Sequence, residues 1–209
     1  MLSIDKAIQD IYDSGCTNDI ILHHLKDTYY TSDMKRIIDQ FQFDLTYNNN
    51  ELIIYYAWDP ENHHVIEFLL DYGADPRAGD DIVFSNTINY NLLKRLLELG
   101  VPPNVHNGAA LTNIMYTKKF KSIKLLLDAG INIQNEAMIA AAATGKPDIL
   151  RLLIEYGGDM DVFHKFVDIR GEEEIFEKNE YIETANLLLS YNVPMETILK
   201  YLISWWCQC

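Results

Sequence analysis

The residues with the most chemical reach are two adjacent histidine pairs, His23-His24 and His63-His64, and the aspartates of Asp159-Met160-Asp161. Imidazole nitrogens and carboxylate oxygens ligate zinc and related ions, but the ligands must converge on one point. Neighbouring residues on a helix project about 100° apart, whereas chelation wants i,i+4 spacing, as in His-Glu-x-x-His. Neither pair has that spacing, so both read as structural or surface histidines. Asp159 follows a leucine-rich run just as Asp75 does, which makes it a loop residue after a helix end. The acids of "GADPRAGDD" (73–81) lack the frame and closing Glu of a calcium loop. A phosphate loop needs Gly-x4-Gly-Lys-Ser/Thr; Gly145-Lys146 is followed by Pro147, and Ala140 stands where the first glycine belongs. No Gly-x-Ser-x-Gly elbow occurs, and Cys16 has no evident base beside it. These residues predict a protein that is not an enzyme and that carries no cofactor and no metal.

Bulk properties narrow the partner. The 209 residues are 48% hydrophobic and 23% charged, which suits one domain or one continuous array. A formal net charge of −14 disfavours phosphate backbones and anionic membrane surfaces. The expectation is no nucleic acid and no membrane, but a protein partner with a basic surface, unless the acidity serves solubility alone. Cys16, Cys207 and Cys209 form no disulfide framework, which points to a reducing, intracellular, cytoplasmic setting. Asp5 and Asp10 sit where a secretory leader requires positive charge, and no apolar run approaches the ~20 residues of a membrane span. A monomer is expected. "METILKYLISWW" near the end reads as a terminal helix whose Trp205 and Trp206 either cover the core or face a partner.

The elements that must position all this recur. "VIEFLLDYGADP" (65–76), "NLLKRLLELGVPPN" (91–104), "SIKLLLDAGINIQ" (122–134) and "ILRLLIEYGGDMD" (149–161) share one scheme: an apolar run, a polar residue, glycine, a short loop. Weaker copies occupy 4–16, 34–44 and 184–196. The glycine slot falls at Gly15, Phe41, Gly73, Gly100, Gly130, Gly157 and Asn192, steps of roughly 26 to 35 residues, a period that signals a solenoid. Within one unit, Ala140–Ala143 predict a slim helix that neighbours approach closely. Gly145 and Pro147 then break it and start the next, and Ile149, Leu152, Leu153 and Tyr156 recur at helical spacing. Leu150 and Ile154 add a second apolar flank, so the helix must be covered on both sides. A left-handed helix end suits glycine and, next best, Asn192; Phe41 suits it poorly, so that helix is expected to end differently.

With these features the chain resembles the ankyrin repeat family. Ala141 and Ala142 stand at its Ala-Ala place, Gly145 at its turn, Leu152 and Leu153 at its leucine pair, and Gly73-Ala74-Asp75-Pro76 close its pattern. No copy retains Thr-Pro-Leu-His; the best-matched repeat reads Glu136-Ala137-Met138-Ile139 there, and the short steps imply trimmed fingers. Loose Asn-, Ile- and Tyr-rich repeats of this kind are similar to those of large DNA viruses of eukaryotes. The resemblance implies an all-α, ankyrin-type helical solenoid filling residues 1–209. Its parts are a half-repeat at 1–16, repeats at roughly 17–44, 45–76, 77–104, 105–134, 135–161 and 162–195, and a capping helix at 196–209. A tetratricopeptide or HEAT-like array is the alternative, but the tetratricopeptide signature is missing.

The resemblance places function on a concave face of fingers and inner helices: a non-catalytic scaffold for protein–protein interaction, acting on host proteins in the host cytoplasm if viral. Trp58 stands where the family prefers alanine, beside Tyr55 and Tyr56, and either fills a widened gap or reaches a partner. From the loops come Arg77, Asp80, Asp81, His106, Asn107, Asn135 and Glu136, and from an acidic run Glu172, Glu173 and Glu174, suited to a basic patch. Family members are hydroxylated on loop asparagines, and Asn104 stands at the matching place. The weaker alternatives are a substrate-recruiting adaptor for a ubiquitin ligase complex, for which too few residues follow Asn192 to complete an F-box-like element, and an enzyme with an unrecognised site in the groove.

Overall fold

The computed structural model describes residues 3–117, 119–164 and 178–206, with Lys178 and residues 201–206 described by backbone alone. Thirteen α-helices and three short 3-10 turns account for the regular structure, and there is no strand among the described residues. Two compact units divide the chain, Met1–Val101 and Pro102–Cys209. No helix among the described residues is long and apolar enough to cross a membrane.

The first unit holds α1 (Ile4–Asp13), α2 (Asn18–Lys26), α3 (Thr31–Phe41), α4 (Tyr47–Ala57), α5 (His63–Asp71), α6 (Ala78–Asn86) and α7 (Tyr90–Glu98). Side chains start several of them: Ser3 accepts from the Lys6 N–H, Thr17 from that of Ile20, and Asn89 from those of Asn91 and Leu92. Helix α2 packs against α1, α3 and α4, and α4 in turn against α5 and α6. Ile11, Leu25, Ile37, Leu69, Phe84 and Leu96 are completely buried between them.

The second unit holds α8 (Ala109–Met115), α9 (Phe120–Asp128), α10 (Asn135–Ala143), α11 (Pro147–Glu155), α12 (Lys178–Ser190) and α13 (Met195–Trp206). Helix α10 lies against α8 and α11, α9 against the same two, and α12 against α11 and α13. Ala140, Ala141, Ala142 and Ala143 are all buried, so α10 meets neighbours around much of its girth. Gly145 ends it at φ +62°. The Tyr181 ring of α12 sits 3.1–3.2 Å from where a β-carbon would be, and its hydroxyl donates to the Ala143 carbonyl at 3.3 Å.

Two devices recur in both units. Leu69, Leu97, Leu126 and Leu153 all lie in helices, and each of those helices is followed by a left-handed glycine, at 73, 100, 130 and 157. Gly15 and Asn192 (φ +58°) do the same after α1 and α12. At the remaining slot Phe41 stays helical, its ring 5.1 Å from that of Tyr12, and Gln42 takes the left-handed turn at φ +49°. The second device ties alternate helices together. Lys35 of α3 bonds Asp39 at 2.9 Å and also the Tyr72 hydroxyl just after α5. Lys124 of α9 bonds Asp128 at 2.9 Å and the Tyr156 hydroxyl after α11 at 3.0 Å. Tyr156 in turn donates to Asp128, and that bond, then Lys124, holds the Asp128 carboxyl below its ordinary range.

Candidate partner-binding surface

Helix α4 sorts its aromatic residues by face. Leu52, Ile53, Tyr56 and Ala57 point inward and are buried. Tyr55 and Trp58, three apart and therefore on one side of the helix, are 43% and 67% exposed. Tyr56 is completely buried, whereas Trp58 is too exposed to fill a gap in the core. The Lys26 ammonium lies 5.3 Å from the centre of the Tyr55 ring and pairs with Glu51, which Asn48 also contacts. Lys26 first, then Asn48, lowers the Glu51 carboxyl below its usual value. Trp58 follows directly on Ala57, whose carbonyl accepts from Asn86 at the C-terminal end of α6 (3.2 Å).

Arg77 and Asp81 lie at the other end of α6, so the structure separates them from Trp58. The Arg77 guanidinium forks onto both Asp81 oxygens at 2.9 and 2.8 Å, and the Asp81 side chain is only 5% exposed. Asp81 is thus committed within the chain and is not a surface contact. Arg77 and Asp80 remain exposed. These residues also do a backbone job. Gly79, Asp80 and Asp81 have φ +61°, +58° and +65°, three left-handed residues in succession at the head of α6. Asn48, Asn49 and Asn50 make the same turn at the head of α4, and His106, Asn107 and Gly108 make it ahead of α8. Asn, Asp, His and Gly are the residues that tolerate this conformation. The composition that marks 80, 81, 106 and 107 as binding candidates therefore has a conformational cause.

In the second unit His106 and Asn107 are exposed, and the Asn107 carbonyl accepts from the Gln134 amide at 3.2 Å. Asn135 and Glu136 open α10 and are exposed, the carboxylate being well placed against the positive end of the helix. Asn104 bridges two loops, donating to the Gly130 carbonyl at 3.1 Å and accepting from the Asn132 N–H at 2.6 Å. Both ends of its amide are occupied. Glu172, Glu173 and Glu174 lie outside the described residues, as do Cys207, Cys209 and the side chains of Trp205 and Trp206.

Two aromatic residues escape the sequence reading. Tyr29 and Tyr30, between α2 and α3, are 50% and 61% exposed. The signal was an adjacent aromatic pair in a connection too short to need one. Among the described residues no three His, Cys, Asp or Glu side chains converge as metal ligands. No protein-family model, curated protein or solved structure matches this chain significantly.

Proposed function

We propose that the chain is an ankyrin-type array acting as a non-catalytic scaffold that binds a partner protein through Tyr55, Trp58 and the neighbouring exposed loops. The helix pairs and the recurring left-handed ends support the array reading, since they repeat at intervals comparable to the period in the sequence, and each Lys-Asp-Tyr brace, from Lys35 to Tyr72 and from Lys124 to Tyr156, spans roughly one such interval. Trp58 carries the binding reading. An indole two-thirds exposed on a helix whose other face is core gains nothing for folding, whereas tryptophan is among the residues that anchor interfaces, losing about 2 kcal/mol or more on truncation.

The test is capture of partners from cell lysate by the wild-type chain, by Trp58→Ala and by Arg77→Glu, with thermal melts run alongside. The reading expects a specific partner lost with Trp58→Ala at unchanged melting temperature. A partner retained by that variant, or none captured, removes Trp58 as the anchor and the reading with it.

A further inference from the structure

A cavity of about 380 Å³ opens in the first unit where α1, the end of α2 and the start of α3 meet. Ile4 and Ala7 supply apolar lining, Tyr29 and Tyr30 aromatic rings, Asp27 and Asp33 two carboxylates. His23 and His24 join them, and among the described residues no lysine or arginine lines it. Its size is at the small end of ligand sites, roomy enough for one side chain. The walls are preorganised. The buried Tyr56 hydroxyl lies 2.8 Å from the Leu25 carbonyl and 2.9 Å from that of Thr28, while the Thr28 hydroxyl donates to the His24 carbonyl at 2.7 Å. That clamp fixes the connection from which Tyr29 and Tyr30 project, and the Tyr29 ring leans edge-on toward Tyr56 at 6.5 Å.

Three features bring negative charge to the cavity. Helix α2 ends here, and a helix C-terminus carries partial negative charge. Asp27 sits at that end, where a carboxylate is locally unfavourable; its side chain is largely exposed, and the His23 imidazole lies 3.8 Å away. Asp33 enters from α3. Among the described residues neither Asp27 nor Asp33 pairs with a lysine or arginine.

We infer that this cavity receives an arginine side chain from the partner protein. A planar guanidinium stacks on a tyrosine face while its fork of donors serves carboxylates on two different elements; an ammonium, as a point charge, uses the same geometry less fully. The inference rests on the scaffold reading only for the protein that presents the arginine.

N-acetyl-arginine methylamide titrated into the ¹⁵N-labelled full chain tests it, with the lysine and norleucine derivatives as comparators. Amide shifts concentrated at residues 23–33 are expected with the arginine derivative, weaker ones with lysine and none with norleucine. Asp27→Asn and Asp33→Asn each weaken binding about tenfold, and Tyr30→Leu, a substitution at an exposed site, weakens it with the fold intact. Shifts spread over the acidic surface, equal shifts from norleucine, tighter binding of lysine, or affinity unchanged in both aspartate variants would overturn it. A cavity that binds the arginine derivative while no partner is captured leaves this inference standing and removes the scaffold reading. Capture dependent on Trp58 with a cavity silent to arginine does the reverse.

Discussion

Tyr56, in the last turn of α4, and Trp58, just past its end, stand two residues apart and have opposite energetic roles. Truncating a buried aromatic removes about 3–5 kcal/mol, but Trp58 is 67% exposed and has little packing to lose. Trp58→Ala is therefore predicted to leave stability within about 0.5 kcal/mol of wild type in urea denaturation; a loss of several kcal/mol would show that the indole is core after all. Tyr56→Phe removes no volume, but it takes away the hydroxyl facing the Leu25 and Thr28 carbonyls in a buried site. A loss of about 1–3 kcal/mol is expected at neutral pH. Burial above all, then Tyr55 and Tyr29, raises the Tyr56 phenol above its ordinary value of 10.0. A raised folded value means the stabilisation is complete below pH 10 and is lost as pH climbs through that folded value. The gap between wild type and Tyr56→Phe should accordingly narrow above pH 10, and a gap constant from pH 8 to 11 would rule out this linkage.

At the scale of elements, α10 shows what a run of alanine is for. Ala141 and Ala142 are fully exposed to neighbours and not at all to water, with α8 on one side and α11 on another. Adding methylenes there forces the helices apart, so Ala141→Leu should destabilise by about 1–3 kcal/mol in a urea melt, although leucine is a good helix former. An unchanged midpoint would mean that α10 is loosely packed. The helices of the leucine-rich runs, α10 and their left-handed ends were legible in the sequence because helical periodicity and left-handed glycine are local signals, whereas α2, α4, α6 and α8 carried no such mark. Gln42 was not legible, because the ring contact between Phe41 and Tyr12 that accompanies the extra helical residue joins two different helices. Nor were the left-handed turns at 48–50, 79–81 and 106–108: polar loop composition suits solvent, a partner and a strained backbone alike. That Tyr56 is buried and Trp58 exposed was not legible, because aromatic residues so close in sequence give no local sign of which one faces the core. The arginine-sized cavity joins residues from three helices and a connection, a juxtaposition no spacing rule encodes.

For the whole molecule, charge sets the sign of the response to salt. The chain carries −14, and its compact state confines that charge. Many of its ion pairs join side chains about half exposed to water, often at i,i+4 on one helix, such as Lys35–Asp39 and Lys124–Asp128. Pairs of that kind contribute little and are themselves weakened by salt. Two effects of opposite sign therefore compete. Screening relieves net repulsion and raises stability; it also weakens the pairs and lowers it. The excess of acids over bases decides for repulsion, since 31 acidic residues cannot all be matched by 17 basic ones. Raising sodium chloride from about 0.01 to 0.15 M shortens the screening length from roughly 30 to 8 Å, and the melting temperature at neutral pH should rise across that range. A fall would mean that the paired side chains outweigh the unpaired acids. The same salt series separates the two proposed contacts: docking of Trp58 depends on apolar burial and should persist, while arginine capture between Asp27 and Asp33 should weaken as the carboxylates are screened.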